Sequence, residues 1–353
     1  MIYINGRFLT QNISGVQRFG REIISHLFKI SRNIKILVPS GTNFEDFPDS
    51  MFEVVGKNQG HVWEQLDLYI FMRDKNKYLL NLTNTAPLLY DKNIFTLHDI
   101  IFLFYPKSYN FLQYLYYKLS VKRHLKKSKL ILTVSNYSKK SILGFYKDLD
   151  EKKIQVIYNA VPEKFLLNSS ENRRTYHKEK IFCVLSSFDE NKNLQVVIDA
   201  FKINSRSDIR LLMIGSHVEQ KPNQLKSALE DSRIKSLGKV NDQILSEIYQ
   251  SSYAFIIPSK MEGFGIPPLE AQSFGCPVLA SNTSSLPEIL GHSALYFDPD
   301  NPEELSNLID FISDDFSQRE SLSLMSYENV KRFDFRKSAE FLINIIEELD
   351  NER

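Results

Sequence analysis

The sequence predicts an α/β protein built from two domains of alternating strands and helices. Short apolar runs of four or five residues recur along the chain, and stretches with helical spacing of apolar residues separate them. The chain has 353 residues, enough for two substantial hydrophobic cores. A polar and charged stretch over 163–180 interrupts this pattern near the middle of the chain, and we interpret it as the linker between the domains.

The apolar runs place the strands of both domains. The first domain is predicted over 1–165, with strands near residues 2–4, 34–38, 78–82, 94–97, 130–134 and 154–158. The second is predicted over 175–332, with strands near residues 181–185, 211–214, 234–237, 253–257 and 276–280. The C-terminal segment predicts an amphipathic helix, and its expected apolar face consists of Phe341, Leu342, Ile345, Ile346 and Leu349.

The stretch 252–281 carries the clearest organisation. An apolar run ends at Pro258, a glycine-containing loop follows, and Pro267 suits the first turn of a helix that Gly275 ends. A second apolar run completes a strand–helix–strand unit, and ligands bind outside the carboxyl ends of such strands. This predicts Glu262 in the loop and Glu270 in the first helical turn, both facing one crevice.

A carboxylate at the start of such a helix can chelate two neighbouring hydroxyls, such as those of a ribose. Backbone N–H groups of the loop and of the helix start can hold sugar hydroxyls or phosphate. The alternative is structural: Glu270 would only complement the helix dipole, and the glycines would only form the turn.

The whole segment EGFGIPPLEA, followed by G-x-P-V, resembles the signature of retaining nucleotide-sugar glycosyltransferases of the GT-B fold, family 4 (glycosyl transferases group 1). The resemblance implies two Rossmann-like domains facing each other across a cleft. It also implies that the last helix crosses back, so that 333–353 completes the N-terminal domain. The nucleotide would bind the second domain and the acceptor would enter from the first.

The resemblance also implies roles for individual residues. Glu270 would hold the donor ribose and Glu262 would face the transferred sugar. The remaining donor-binding positions implied in the second domain are Gly263, Phe264, Gly265, Ile266, Gly238 and Val240. The segment that holds the last two would lie under the nucleotide base, so that backbone groups read its edge.

Three further residues become site candidates. Lys192 precedes a predicted helix, where a lysine can neutralise a departing diphosphate, although an exposed loop lysine is the simpler alternative. Gly15 precedes the first helix, where the resemblance places a glycine beside the diphosphate; a plain loop glycine is the alternative. His98 ends a strand, and the resemblance implies contact with the transferred sugar rather than a purely structural hydrogen bond.

The match is incomplete at the second phosphate-binding cation. Many members of the family have an arginine where this chain has Ser187, and another branch has one where it has Asn191. The second cation is therefore missing or comes from elsewhere in the chain, with Arg18 and Arg7 as candidates. Asp298 and Asp300 form an Asp-x-Asp pair just before a helix, which favours an electrostatic role over metal binding. We therefore expect an enzyme that needs neither a metal nor another cofactor.

Composition limits the partners. Lys+Arg 44 against Asp+Glu 43 gives no overall attraction to nucleic acid, and no nucleic-acid motif is present. Cys183 and Cys276 lie in apolar runs and suggest buried free thiols in a reducing compartment. No apolar run approaches 18 residues, and the N-terminus does not resemble a signal peptide. The expected location is cytoplasmic, with peripheral contact at the inner face of the membrane as one possibility.

That contact would involve residues 109–129, an aromatic segment that becomes strongly basic. A basic amphipathic helix can lie on an anionic membrane, although an aromatic face buried in the core with a solvated basic end explains the same pattern. A lipid-linked acceptor would favour the membrane.

The resemblance therefore implies a retaining hexosyltransferase that moves a sugar from a nucleotide diphosphate sugar to a saccharide or lipid-linked saccharide in surface polysaccharide biosynthesis. Ser187 and the segment GFGIPPLEA resemble those of mannosyltransferase-like members of the family, and this resemblance implies a mannose-type donor. Two alternatives stay open: a GT-B nucleotide-sugar epimerase or hydrolase, and a non-enzymatic two-domain sugar-binding protein.

Overall fold

The chain forms two compact units, each built around a parallel sheet. The computed structural model describes residues 1–31, 33–42, 47–170, 180–185, 187–215 and 222–351. The first unit comprises Met1–Asn159 with Asp334–Arg353, and the second comprises Ala160–Phe333. The predicted α/β class is confirmed by the two parallel sheets.

The first sheet has the strand order β3-β2-β1-β4-β5-β6-β7. Its strands are β1 (Ile2–Asn5), β2 (Ile34–Val38), β3 (Phe52–Val54), β4 (Leu79–Asn81), β5 (Asn93–Thr96), β6 (Leu130–Thr133) and β7 (Ile154–Val156). The register pairs Tyr3 with both Lys35 of β2 and Leu79 of β4, so that β1 lies inside the sheet. Residues in such strands are covered on both faces, which explains their continuous apolar runs.

The helices of this unit are α1 (Gly15–Ile30), α2 (Gly60–Val62), α3 (Leu68–Lys75), α4 (Ile101–Phe104), α5 (Phe111–Lys127) and α6 (Asn136–Phe145). A π-helical turn, Trp63–Asp67, joins α2 to α3. Ser135 caps α6, because its side chain accepts a hydrogen bond from the Ser138 N–H at 2.9 Å. Trp63 is fully buried and packs with Leu37, Leu68 and Leu79 in the core of this unit.

The second sheet has the order β10-β9-β8-β11-β12-β13. Its strands are β8 (Lys180–Leu185), β9 (Ile209–Ile214), β10 (Ile234–Gly238), β11 (Ala254–Ile257), β12 (Val278–Ser281) and β13 (Ala294–Phe297). The helices are α7 (Glu163–Ser170), α8 (Leu194–Ile203), α9 (Pro222–Leu229), α10 (Asp242–Ser251), α11 (Ile266–Ser273), α12 (Leu286–Leu290), α13 (Pro302–Asp314) and α14 (Phe316–Val330). Cys183 and Cys276 are buried and form no disulfide with a described residue, as expected.

Each sheet has a topological switch point. The chain lays β2 and β3 on one side of β1 and then places β4 on the other side. It repeats this in the second unit, where β9 and β10 lie on one side of β8 and β11 lies on the other. Ligands bind outside the carboxyl ends of the strands at such points. The loops after β1, β4, β8 and β11 are therefore the first places to look for a site.

The last helix, α15 (Phe335–Asn351), packs on α1 of the first unit. The Phe335 ring lies 6.3 Å from the Phe19 ring, and Leu342 and Ile346 are buried. The prediction that Phe341 belongs to this buried face is wrong, because that side chain is 39% exposed. Counted from Phe335, the buried positions of α15 recur at intervals of three and four residues. Phe341 does not fall on one of these positions, so it lies outside the buried face.

The predicted limits of the domains also differ from the observed ones. Residues 160–165 belong to the second unit rather than to the first. The physical reason is α7, which occupies the start of the predicted linker: Phe165 is buried and its ring lies 6.4 Å from that of Phe274 in the second unit. The rest of the predicted linker, including the expected start at 175, lies mostly outside the described residues.

Candidate functional site

The second unit brings two loops together at its switch point. The loop after β8 leads through the 3-10 turn Glu190–Lys192 into α8, and the loop after β11 leads into α11. The Lys260 N–H donates to the Asn191 carbonyl at 2.8 Å, which ties one loop to the other. Asn193 reinforces the junction: its side-chain amide donates to the carbonyls of Pro258 (3.2 Å) and Pro299 (2.7 Å).

Lys192 and Glu262 meet at this junction. Lys192 Nζ lies 2.7 Å from Glu262 Oε1, and Ser259 Oγ donates to the same oxygen at 2.6 Å. The Glu262 side chain is 12% exposed and the Lys192 side chain is 36% exposed, so that part of the ammonium group faces solvent. The two residues are 70 positions apart in the sequence and were predicted as separate candidates. In the structure they form one charged pair.

A third loop fixes the shape of the glycine loop. Ser285 Oγ donates to the carbonyls of Glu262 (3.1 Å) and Phe264 (2.9 Å), and the Glu262 N–H donates to Ser284 Oγ at 3.1 Å. Gly265 has φ +98°, a conformation that L side chains rarely adopt, and a Cβ there would come within 2.9 Å of Leu286. Gly263 and Phe264 are buried beside it, and Ile266 is half-buried. The backbone is thus held in one conformation before any ligand arrives.

Glu270 lies deeper than the sequence indicated. The helix begins at Ile266, because Gly265 at the N-cap takes the left-handed conformation, and Pro267 is only its second residue. Glu270 is therefore in the second turn, and its predicted place in the first turn is wrong. The carboxylate is buried (3% exposed) on the side of Tyr249, whose hydroxyl donates to Oε2 at 3.5 Å. Such burial of a carboxylate is costly unless polar partners satisfy it.

Gly238 ends β10 with φ +61°, and its carbonyl accepts from the Gly215 N–H at 2.8 Å. Val240 follows it and is half-buried. The two residues lie at the carboxyl edge of the same sheet as the Lys192–Glu262 pair, on the far side of β9. The predicted contact with a nucleotide base remains a prediction.

The other two candidates belong to the first unit. Gly15 is the first residue of α1, is exposed, and a Cβ added to it would meet no atom within 4 Å. Neither backbone strain nor packing therefore requires a glycine there. His98 is buried just beyond β5, with Nε2 3.0 Å from the Leu82 carbonyl and its ring edge-on to Phe19 at 5.0 Å. Burial lowers the pKa of His98 to about 4, so that the imidazole is neutral at physiological pH.

Arg7 and Arg18 of the first unit are the candidates for a second phosphate-binding cation. Arg7 is an unsuitable candidate, because its guanidinium is buried against Glu64, with Nε 3.2 Å from Oε1, and its charge is neutralised. Arg18 lies in the first turn of α1 and is half-buried. Ser187 Oγ donates to Asp189 Oδ2 at 2.6 Å, and Asn191 is buried.

The described residues contain no group of three or more histidine, cysteine or acidic side chains arranged to hold a metal ion. Asp300 of the Asp-x-Asp pair instead lies 2.5 Å from Lys260 Nζ, and Asp298 accepts a hydrogen bond from the Asp300 N–H. Over the same part of the chain, every helix is too short or too polar to cross a bilayer.

Sequence reasoning missed the buried polar cluster around Glu64. This residue lies in the π-helical turn and is fully buried with Asn5, Arg7 and Thr85. No sequence pattern identified it, because its partners follow two strands that are adjacent only in the folded sheet.

Known proteins resemble this chain over most of its length. The sequence model of the family described as "Glycosyl transferases group 1" matches residues 168–328. The O-antigen chain mannosyltransferase RfbU of Salmonella typhimurium is 34% identical over 247 residues, which cover 69% of this chain and 67% of RfbU.

Two solved structures share the architecture. A glycosyltransferase from Rickettsia africae has a TM-score of 0.72 at 19% identity and covers 98% of this chain and 97% of its own. HepE from Anabaena, solved with UDP and glucose, has a TM-score of 0.71 at 16% identity and covers 98% of each chain. Together with the two parallel sheets, these matches show the GT-B fold. The chain belongs to the glycosyl transferases group 1 family.

Proposed function

We propose that this glycosyltransferase moves a hexose, with retention of configuration, from a nucleoside diphosphate sugar to a saccharide or lipid-linked saccharide. The proposed setting is surface polysaccharide biosynthesis, and the proposed donor sugar is mannose-type. The name of RfbU, an O-antigen chain mannosyltransferase, supports both the setting and the sugar. HepE, solved with UDP and glucose, supports a nucleoside diphosphate as the product that leaves.

The observation that carries the proposal is the Lys192–Glu262 pair at the switch point of the second sheet. A glycosyl donor develops negative charge on the departing diphosphate and positive charge on the sugar ring. The ammonium group and the carboxylate lie 2.7 Å apart. The positive group can stabilise the departing diphosphate, and the negative group can stabilise the sugar ring. We assign the diphosphate to Lys192 and the sugar to Glu262.

The remaining second-unit candidates would bind the donor. Glu270 would accept hydrogen bonds from the ribose hydroxyls, and the backbone from Gly263 to Ile266 would hold the sugar and phosphate oxygens. Gly238 and Val240 would lie against the base. In the first unit, Gly15 would admit a phosphate close to the backbone N–H groups at the start of α1. His98, neutral because of its burial, would contact the transferred sugar through hydrogen bonding rather than charge.

In the proposed reaction the bond between the sugar C1 and the diphosphate oxygen breaks, and a bond from C1 to the acceptor oxygen forms on the same face. The acceptor hydroxyl gives its proton to the departing phosphate oxygen. No metal or other cofactor enters the scheme, because Lys192 and backbone N–H groups would balance the charge of the leaving group. The nucleotide sugar is a substrate.

Two other activities fit the same fold, and one screen separates them from transfer. The protein is incubated with nucleotide sugars, and its melting temperature is measured; a ligand at about 100 times its Kd stabilises by about 2.7 kcal/mol. Ligands that stabilise the protein are then tested for release of nucleoside diphosphate with and without saccharide acceptors. Transfer requires the acceptor, an epimerase or hydrolase does not, and a binding protein releases nothing.

We also propose that α5 contacts an anionic membrane, and the exposure of its side chains favours this. Its buried face consists of Ser120, Val121, His124 and Leu125. The alternative, in which an aromatic face packs into the core and only the basic end is solvated, would require buried aromatic side chains. Tyr116 and Tyr117 are instead only half-buried. Four apolar side chains of the helix are instead exposed, between 39% and 76%: Phe111, Leu112, Leu115 and Leu119. A contiguous exposed apolar surface is uncommon unless it meets a partner or a membrane.

A basic groove adjoins this surface. It has a volume of about 910 Å³, and its lining includes the apolar side chains of Leu125 and Phe145. Five lysines line it: Lys118, Lys122, Lys126, Lys147 and Lys153. None of them forms an ion pair with a carboxylate in the described part of the chain, although Asp148 and Asp150 also line the groove. A groove lined by lysines and apolar side chains suits phosphate headgroups at a lipid surface.

A further inference from the structure

A second charged cluster lies at the switch point of the first sheet. Asn5 ends β1, Arg7 follows it, and Thr85 lies in the loop after β4. All three donate to one oxygen, Glu64 Oε1: Asn5 Nδ2 at 2.8 Å, Arg7 Nε at 3.2 Å and Thr85 Oγ1 at 2.9 Å. Arg7 Nη2 also donates to Thr85 Oγ1 at 2.8 Å. The carboxylate thus joins the two strands on either side of the switch point.

Glu64 is ionised although it is fully buried. Burial alone would raise its pKa, but the hydrogen bonds from His61, Asn5 and Thr85 and the charge of Arg7 bring the pKa down to about 2. The residue lies in the π-helical turn Trp63–Asp67, and such turns often occur at functional sites. His61 lies in α2, two residues before the turn, and its Nδ1 is 3.6 Å from Glu64 Oε2.

Several polar groups of this cluster have hydrogen-bonding capacity left. The His61 side chain is 52% exposed. Arg7 uses Nε and Nη2, whereas its Nη1 makes no hydrogen bond to a described residue. Tyr116 Oη is buried and has no partner among the described residues, and its ring lies 4.7 Å from that of His61. A buried hydroxyl without a partner is costly, and a polar group of a bound ligand would supply the missing hydrogen bond.

We propose that Arg7, His61 and Tyr116 bind the acceptor saccharide, and that Glu64 is the positioning residue that holds the first two in place. This rests on the proposed function, since it names the acceptor side of that reaction. It adds a site at the carboxyl ends of β1 and β4, separate from the donor residues of the second unit.

The chemistry favours a neutral sugar over a phosphate. Arg7 is neutralised by Glu64, so the cluster has no surplus positive charge to balance a phosphate. It offers instead donors on Arg7 and His61, a hydroxyl on Tyr116 that both donates and accepts, and a half-buried aromatic ring. Donors on two side chains and a hydroxyl that also accepts, beside an aromatic ring, suit the hydroxyls and the apolar face of a pyranose.

The test measures the acceptor KM and the donor KM separately, with the methyl pyranosides of mannose, glucose and galactose as acceptor probes. We expect His61→Ala and Tyr116→Phe each to raise the acceptor KM about 3- to 10-fold, the equivalent of one net hydrogen bond, and to leave the donor KM unchanged. Glu64→Gln should raise the acceptor KM more than either variant, because Arg7 and His61 both lose the carboxylate that holds them in place. The matched controls are His292→Ala, an exposed histidine of the second unit, and Tyr114→Phe, two residues before Tyr116 on α5.

The variants also separate binding from folding. The Tyr116 hydroxyl has no partner in the described chain, so Tyr116→Phe should not lower the melting temperature. An unchanged acceptor KM in both His61→Ala and Tyr116→Phe, or an equal rise in the controls, overturns the inference. So does a wild-type protein that consumes the donor but transfers to none of the pyranosides. A wild-type protein that neither binds nor consumes any nucleotide sugar instead refutes the proposed function.

Discussion

Replacing Lys192 by methionine separates the chemical role of the Lys192–Glu262 pair from its structural one. Methionine keeps a long apolar stem and removes only the charge and the hydrogen bonds. The lysine side chain is 36% exposed, and ion pairs at such positions contribute about 0–1 kcal/mol to stability. Glu262 keeps its hydrogen bond from Ser259 in the variant. We therefore expect the melting temperature to fall by only a few degrees.

The expected effect on turnover is much larger. Removing one preorganised group that stabilises charge in the transition state costs about 100- to 1000-fold in kcat, or about 2.7–4 kcal/mol. The difference between the two magnitudes makes the experiment decisive, because loss of stability at this site is too small to mimic loss of catalysis.

The assay follows nucleoside diphosphate release in the presence of saccharide acceptor. The chain supplies a matched control in Lys260→Met, since Lys260 lies in the same junction, is 33% exposed and pairs with Asp300 at 2.5 Å. Lys260→Met should retain nearly full turnover. If Lys192→Met turns over the donor as fast as Lys260→Met, Lys192 does not stabilise the leaving group and the proposed site is wrong.

Three more predictions follow from the same account. Glu270→Gln should mainly raise the donor KM, about 10- to 100-fold, because ribose contacts are equal in the ground and transition states. Glu262→Gln should mainly lower kcat. Wild-type kinetics in both variants would show that the two glutamates have only a structural role. Turnover should survive EDTA, and complete loss restored by Mn²⁺ would contradict the metal-free scheme. Neutralising four exposed basic residues of α5 should weaken binding to anionic vesicles by about 1 kcal/mol per residue, as measured by co-sedimentation. The four residues are Lys122, Arg123, Lys126 and Lys127. A control variant removes four exposed lysines of the second unit: Lys226, Lys235, Lys239 and Lys331. Equal loss in the control, unchanged binding in the α5 variant, or no binding by the parent would reject the membrane contact.

The loop and helix that carry the proposed donor residues were largely predictable from the sequence, because they form one continuous segment. Glu262, the glycines and Glu270 lie within nine residues, and the prolines and glycines around them mark the loop and the helix. The error was the helix start: the left-handed conformation of Gly265 lets the helix begin at Ile266, which moves Glu270 into the second turn. A glycine permits that conformation without requiring it, so the sequence leaves the start of the helix open.

The supporting contacts were not accessible in this way. Ser284 and Ser285 hold the glycine loop through hydrogen bonds that span 21 to 23 positions, and a serine in a loop has no distinctive pattern. The Glu64 cluster depends on which strand follows which in the sheet, because β1 and β4 are neighbours in space but not in sequence. The exposure of Leu112 and Leu119 likewise depends on which face of α5 packs inward.

The central claim is that the chain transfers a sugar from a nucleoside diphosphate donor with retention of configuration. The most direct test is a proton NMR time course of donor, acceptor and protein, since the anomeric signals report donor loss and the configuration of the product together. The account predicts acceptor-dependent loss of the donor signal, matched by release of nucleoside diphosphate. The new glycosidic proton should have the anomeric configuration of the donor. Donor loss at the same rate without acceptor, or a product of the opposite configuration, would contradict it.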